Sequence, residues 1–228
     1  MVTQTLSHIV QIVTMDVEPE FEDELNRWYD EEHIDALLGV PGYLSAERFV
    51  SVDGTPKYMA FYQLESLDAA TSEAHRVAAE TPWTHRMREH MRSARVEFYE
   101  QLTTSDGEIH GPEWGTAAAP GALMVMRMSV PPEHDEEFNA WYRCEHFPQI
   151  CAVDGVYVGR RYKALEGSSP LYMARYDIAT VETHGSPAWD IAAETPWTFH
   201  ARTHHFDRWK VVYTPLGPAK FGTANGAK

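Results

Sequence analysis

Apolar runs at Ile9 to Met15 and Leu123 to Val130 open two stretches of chain that then develop in the same order. Each run reads as a strand. Pro19 and Pro132 follow, at the position where proline opens a helix, and each leads into an amphipathic segment. Gly42 and Gly155 stop those helices. Second strands are expected over Tyr43 to Val52 and Val156 to Leu165, and third strands over Lys57 to Leu64 and Leu171 to Ile178. Turns at Asp53-Gly54 and Gly167-Ser168 join them as hairpins. A second helical region breaks at Thr81-Pro82 and Thr195-Pro196, where Thr suits an N-cap and Pro the first helical residue. Final strands fall near Arg95 to Leu102 and Trp209 to Tyr213. The pattern is α+β, and βαββαβ occurs twice.

The agreement extends to residue identity. Ala78-Ala79-Glu80-Thr81-Pro82-Trp83-Thr84 recurs as Ala192-Ala193-Glu194-Thr195-Pro196-Trp197-Thr198. Trp28-Tyr29 returns as Trp141-Tyr142, Glu32-His33 as Glu145-His146, and Arg48 as Arg161. Tyr58-Met59-Ala60 and Tyr62 return as Tyr172-Met173-Ala174 and Tyr176. Order is preserved throughout, the mark of an internal repeat. The division this implies is a first repeat over 1–102, a linker over 103–120 rich in Gly, Ala, Ser and Pro, a second repeat over 121–216, and a flexible tail over 217–228. A single four-stranded sheet with helices on one face is expected to have an apolar other face in need of cover, which a second copy would supply.

Composition narrows the classes. The chain has 228 residues, 43% of them hydrophobic and 12% aromatic, enough for a packed core. A net charge of −15 argues against nucleic acid and anionic membrane surfaces as partners. No stretch approaches the ~18 apolar residues of a membrane span, and Met1 to His8 lack the regions of a signal peptide. Cys144 and Cys151 sit about 10 Å apart along a helix axis, too far for a disulfide. They read as thiols of a cytoplasmic protein.

The first helix of each repeat carries the candidate chemistry. Advancing about 100° per residue from Phe21 puts Trp28, Leu25 and Tyr29 on an apolar stripe, with Glu32 at roughly 20° in its middle and His33 at roughly 120° on its edge. Glu145 and His146 fall identically beside Phe138, Trp141 and Tyr142. A core-facing carboxylate needs a partner, and Arg48 and Arg161 on the second strands are candidates. A structural Glu–Arg ion pair is the plain alternative to a catalytic role. The histidines titrate near neutrality and suit general acid or base work. Tyr58 and Tyr62, like Tyr172 and Tyr176, share one strand face and could turn their phenols toward the imidazole, or be ordinary core residues. Trp83 and Trp197 restart the second helices and join the binding candidates. Arg127, Arg175 and Asp177 occupy positions that are Thr14, Phe61 and Gln63 in the first repeat, so either the halves have specialised or one edge is solvated. His200 and His204 lie one helical turn apart with His205 adjacent, but nothing completes a metal site. No phosphate loop, nucleophile elbow or dinucleotide fingerprint is present.

Helix-borne Trp-Tyr-x-x-Glu-His, then Pro41-Gly42, then Tyr-Met-Ala-x-Tyr on a strand, resemble the dimeric α/β-barrel superfamily of ferredoxin-like units, and EthD-like proteins in particular. The resemblance covers both halves. The second departs from it by Asp154 in place of Pro41 and by Pro148 soon after the motif. What the resemblance implies is two ferredoxin-like units packed sheet to sheet as an intrachain barrel, with a pocket between sheet and helices in each. Members are usually cofactor-free and include muconolactone-type isomerases, polyketide cyclases, quinone-forming monooxygenases and lyases; a distant branch binds haem.

The expectation is therefore a cofactor-free lyase or isomerase acting on a small hydrophobic, aromatic or polyketide-like substrate. His33 or His146 would move the proton, Glu32 or Glu145 would orient it, and the Tyr, Trp and Arg residues named above would hold the ring. Two alternatives stay open: a non-catalytic small-ligand-binding protein, and a haem- or oxygen-dependent monooxygenase. So do the choice of active repeat and further association into a homodimer of pseudo-dimers.

Overall fold

The computed structural model describes residues 9–102, 109–110 and 119–222. The chain divides into two compact units, one made of residues 1–50, 55–99 and 216–228, the other of 51–54 and 100–215. Met1 to His8, most of the expected linker, and residues 223–228 lie outside the described residues.

The first unit opens with β1 (Ile9–Val17) and a 3-10 turn at Pro19–Phe21. One continuous helical rod follows: α1 (Glu22–Trp28), a π-helical turn (Tyr29–His33) and α2 (Ile34–Leu38). The hairpin of β2 (Tyr43–Ser51) and β3 (Tyr58–Leu64) is next. Then come α3 (Leu67–Thr71), α4 (Glu73–Ala79), α5 (Pro82–His90) and β4 (Met91–Gln101). The strand order is β2-β3-β1-β4. Gly42 has φ +90°, and a Cβ there would lie 2.8 Å from that of Ala69, so the turn into β2 requires glycine.

The second unit repeats the series. A two-residue strand, β5 (Ile109–His110), precedes it and pairs with Gly159 and Arg160, so the expected linker contributes to a sheet. Next are β6 (Ala122–Ser129), a 3-10 turn at Pro132–His134, α6 (Asp135–Trp141), a π-helical turn (Tyr142–His146) and α7 (Phe147–Cys151). β7 (Val156–Ala164), β8 (Tyr172–Ile178), α8 (Pro187–Ala193), α9 (Pro196–Arg202) and β9 (Phe206–Pro215) complete it. The order β7-β8-β6-β9 matches the first unit position for position.

The expected caps are in place. Thr81 and Thr195 each accept the N–H of the residue three further on, at 3.0 Å, and Pro follows each. Two expectations fail. Residues 217–222 are held rather than loose: β10 (Lys220–Phe221) pairs with Ala46 and Ser45, and Lys220 reaches Asp35 at 3.0 Å. The edge of β2 has backbone groups to satisfy, and this segment satisfies them. Nor is the helix-free face of the second sheet apolar. Arg127, Arg160, Arg175 and Asp177 are all buried there, so the solvated-edge explanation falls. Arg175 Nε donates to Asp177 at 2.7 Å, Arg160 lies 3.4 Å from the same carboxylate, and Arg127 stacks over Trp209. Pairing is what makes buried charge tolerable.

Candidate functional site

The π-helical turn decides where the helix-borne residues point. Its backbone closes from Ile34 N–H to the Tyr29 carbonyl, and from Phe147 N–H to that of Tyr142, five residues apart instead of four. The extra residue retards the helix by about 100°. His33 and His146 thereby move into the stripe facing the sheet, and Glu32 and Glu145 are carried off it. Leu37 and Ile150, which follow the turn, are buried as this shift requires.

The carboxylates find a different partner from the one expected. Thr81 donates to Glu32 Oε1 at 2.6 Å and Thr195 to Glu145 Oε1 at 2.5 Å. Each Glu thus ties the opening helix to the N-cap of the last helix. Arg48 and Arg161 are not ion-pair partners of Glu32 and Glu145. Arg48 contacts Asn26 at 2.7 Å and Asp30 at 3.2 Å and lies 4.1 Å from the Tyr29 ring centre. Arg161 contacts Asn139 at 2.9 Å and lies 4.0 Å from that of Tyr142. Both arginines brace the helix against the second strand.

Each imidazole is packed by aromatic rings. His33 stacks on Trp28 at 4.1 Å and meets Tyr29 edge-on. His146 stacks on Trp141 at 4.4 Å and meets Tyr142 edge-on. The Nδ1 atom of each is enclosed and without a hydrogen-bond partner. Burial lowers both to a pKa of about 3, with a further contribution from nearby cations: Arg88 in one case, Arg202 and Arg161 in the other. Both rings are therefore neutral at physiological pH.

The two units diverge in what surrounds the imidazole. In the second, His146, Trp141, Tyr142 and Tyr176 line a cavity of about 270 Å³. Met124, Met126 and Met128 of β6, Ile150 of α7, and Trp189 and Ala193 of α8 supply its apolar wall. Arg202, Arg208, Lys210, His184, His205, Asp190 and Glu194 are its charged and titratable members. Burial lowers His205 to about 4, with help from Arg208, and lowers His184 also. In the first unit a hydrogen-bonded chain stands at the corresponding positions. The Tyr43 hydroxyl donates to Gln11 Oε1 at 2.8 Å and lies 2.9 Å from His75 Nδ1. Gln11, Tyr43 and His75 take the places of Met124, Val156 and Trp189.

Of the other expected residues, Tyr176 alone among the strand tyrosines lines the cavity. Tyr62 is buried beside Tyr43 with its hydroxyl unpartnered. Tyr172 donates to Asp135 at 2.7 Å and accepts from Asn139 at 2.9 Å, at the start of the opening helix and away from His146. Tyr58 likewise faces Asn26 and Glu22. Trp83 and Trp197 pack on the edges of the two cores. His200 pairs with Glu137 and His204 stacks on His134, and no group of metal-ligand residues occurs among the described residues. Sequence reasoning missed His184 and Trp189, named His205 only beside a pair weighed for a metal, and missed Arg208 and Lys210. All five differ from their first-unit counterparts Ala70, His75, Met91, Ala94 and Val96. Divergence between the repeats was the signal that could have found them.

No helix among the described residues is long and apolar enough to cross a membrane. No protein-family model and no curated protein matches the chain. Solved structures do. An anthrone oxidase-like protein superposes with a TM-score of 0.69 at 14% identity, covering 97% of this chain and 96% of its own. A monooxygenase-like protein from Lactobacillus acidophilus NCFM gives 0.59 at 11%, covering 94% and 99%. A mutant chlorite dismutase from Candidatus Nitrospira defluvii gives 0.62 at 13%, covering 93% of each. At such identities the likeness is one of fold alone.

Proposed function

We propose that this chain is an enzyme that takes a proton from an acidic carbon of a small aromatic or polyketide-like ketone, with His146 as the base. The observation that carries this reading is the meeting, in one cavity, of a neutral imidazole, aromatic and methionine walls, and a rim of cations. Neutral imidazole is the form that accepts a proton. For an isolated base a pKa near 3 would be a poor match to a carbon acid. An enolate formed beside it reverses that balance, because its negative charge stabilises the imidazolium. Arg202, whose charge acts on His146, in turn stabilises the enolate oxygen. Trp141 and Tyr142 hold the ring of His146 in place, and Glu145 ties that helix to the last one through Thr195.

Reprotonation at another carbon makes such an enzyme an isomerase, and loss of a leaving group makes it a lyase. A second outcome, attack of the carbanion on dioxygen, is favoured by the fold neighbours described as anthrone oxidase-like and monooxygenase-like. Haem does not fit the residues present. The cavity's three histidines, His146, His184 and His205, are packed against aromatic rings, and each is faced by an arginine or lysine. The two units are read as descendants of one duplicated ferredoxin-like module. The shared strand order and the π turn at the same place support that ancestry.

The test is solvent deuterium incorporation into anthrone, a ketone with an acidic methylene group. The full chain should catalyse exchange, and His146→Ala should slow it by about 10²- to 10⁴-fold without loss of folding. An unchanged rate in that variant rules His146 out as the base.

A further inference from the structure

The second unit's cavity holds more positive charge than a proton transfer requires. Arg208 and Lys210 are two residues apart on β9, so both side chains leave the same face of the strand. Lys210 stands directly opposite Met126, and all three line the cavity. Arg202, their neighbour there, is already clasped by Glu194 at 2.7 and 2.8 Å. Among the described residues the side chains of Arg208 and Lys210 have no hydrogen bond or close ion pair; both act at longer range on the charge of Glu194, which Arg202 already holds. In a chain of net charge −15, two cations with no carboxylate bonded to them, beside a cavity whose deep wall is apolar, are unusual. The first unit has Ala94 and Val96 at these positions, so the fold does not need them.

Depth separates the two chemistries. Met124, Trp141 and Tyr176 are buried, whereas Arg208 and Lys210 are exposed. A ligand that matches has an apolar ring system at one end and an anion at the other. A planar carboxylate suits a guanidinium, which can donate two parallel hydrogen bonds to it, with the ammonium adding a second charge. We infer that the ligand of the second unit is an aromatic carboxylate. Its carboxylate is held by Arg208 and Lys210, and its ring lies against Met124, Trp141 and Tyr176. This deepens the function proposed above: it shares that site and leaves the reaction open.

Tryptophan fluorescence of the full chain, titrated with naphthoate and with naphthamide, tests it, because the two probes match in size and differ in charge. Naphthoate should bind about tenfold tighter or better, and added salt should narrow the gap. In R208A/K210A the gap should close while naphthamide affinity is retained. R208K/K210R, which keeps both charges, should restore most of the preference and so excludes a folding defect as the cause. Equal affinities in the parent chain, a preference surviving in R208A/K210A, or no binding of either probe overturns the assignment. A chain indifferent to charge that still exchanges deuterium loses this subsite and keeps His146 as base. One that prefers naphthoate yet never exchanges keeps the subsite and loses the reaction.

Discussion

The two units share a strand order, a π turn and an imidazole stacked on tryptophan, yet among the described residues the surroundings differ: a cavity of about 270 Å³ lies beside His146, and a hydrogen-bonded chain stands at the corresponding positions of the first unit. The difference rests on few residues. In the first unit, Tyr43 bridges Gln11 and His75, and His75 is close enough to act on the charge of His33. In the second, the corresponding Met124, Val156 and Trp189 make no such chain, and histidines and cations stand around the hollow. A shared strand order and imidazole with different fillings put the weight of the proposed function on the residues around His146 rather than on the imidazole alone.

The largest effect on this contrast should come from transplanting the filling. The triple variant Met124→Gln, Val156→Tyr, Trp189→His places the first unit's chain in the second unit's cavity. It should remove naphthoate binding and slow anthrone exchange more than about tenfold, while thermal unfolding shows a cooperative transition like that of the parent. Binding that survives would mean the filling does not distinguish the units.

The effect of pH should be smaller and of a definite sign. Burial lowers His33 and His146 from the ordinary 6.5 to about 3. The unfolded chain therefore binds more protons between those values, so stability is fully present above about 6.5 and is lost as pH falls toward 3. The double variant His33→Asn, His146→Asn should show a shallower fall of Tm across that window. The exchange rate of the parent at low substrate should stay level through pH 6 and drop only nearer 4. A limb near 6.5 would indicate an ordinary, solvated base.

The smallest effect should be the same in both units. Thr81→Ala and Thr195→Ala each remove an N-cap and the partner of a half-buried carboxylate, and each should cost about 1–2 kcal/mol by denaturant titration. Near-equal losses would show that the carboxylates serve the scaffold in both copies. A selective loss of activity in Thr195→Ala would assign Glu145 a part in the chemistry.

Much of this was legible in the sequence. Alternating apolar runs, Thr-Pro caps and glycine stops located the strands and helices to within a few residues, because local propensity and burial agree there. The side-chain directions of the opening helix were not legible. A wheel of constant pitch cannot contain a π turn, so it exchanged the roles of Glu32 and His33 and offered Arg48 as a partner that Thr81 turned out to be. The cavity lining was missed for a different reason. Identity between repeats highlights what holds the module together, whereas His184, Trp189, Arg208 and Lys210 stand where the repeats disagree. The tail around Lys220 read as loose because pairing to the edge of β2 is a tertiary event that composition does not record.

The most direct measurement is the anthrone exchange rate of two single variants, His33→Ala and His146→Ala, side by side with the parent. The account predicts a rate within about threefold of the parent for His33→Ala and a loss of about 10²-fold or more for His146→Ala. Equal losses in both, or a loss confined to His33→Ala, would contradict it.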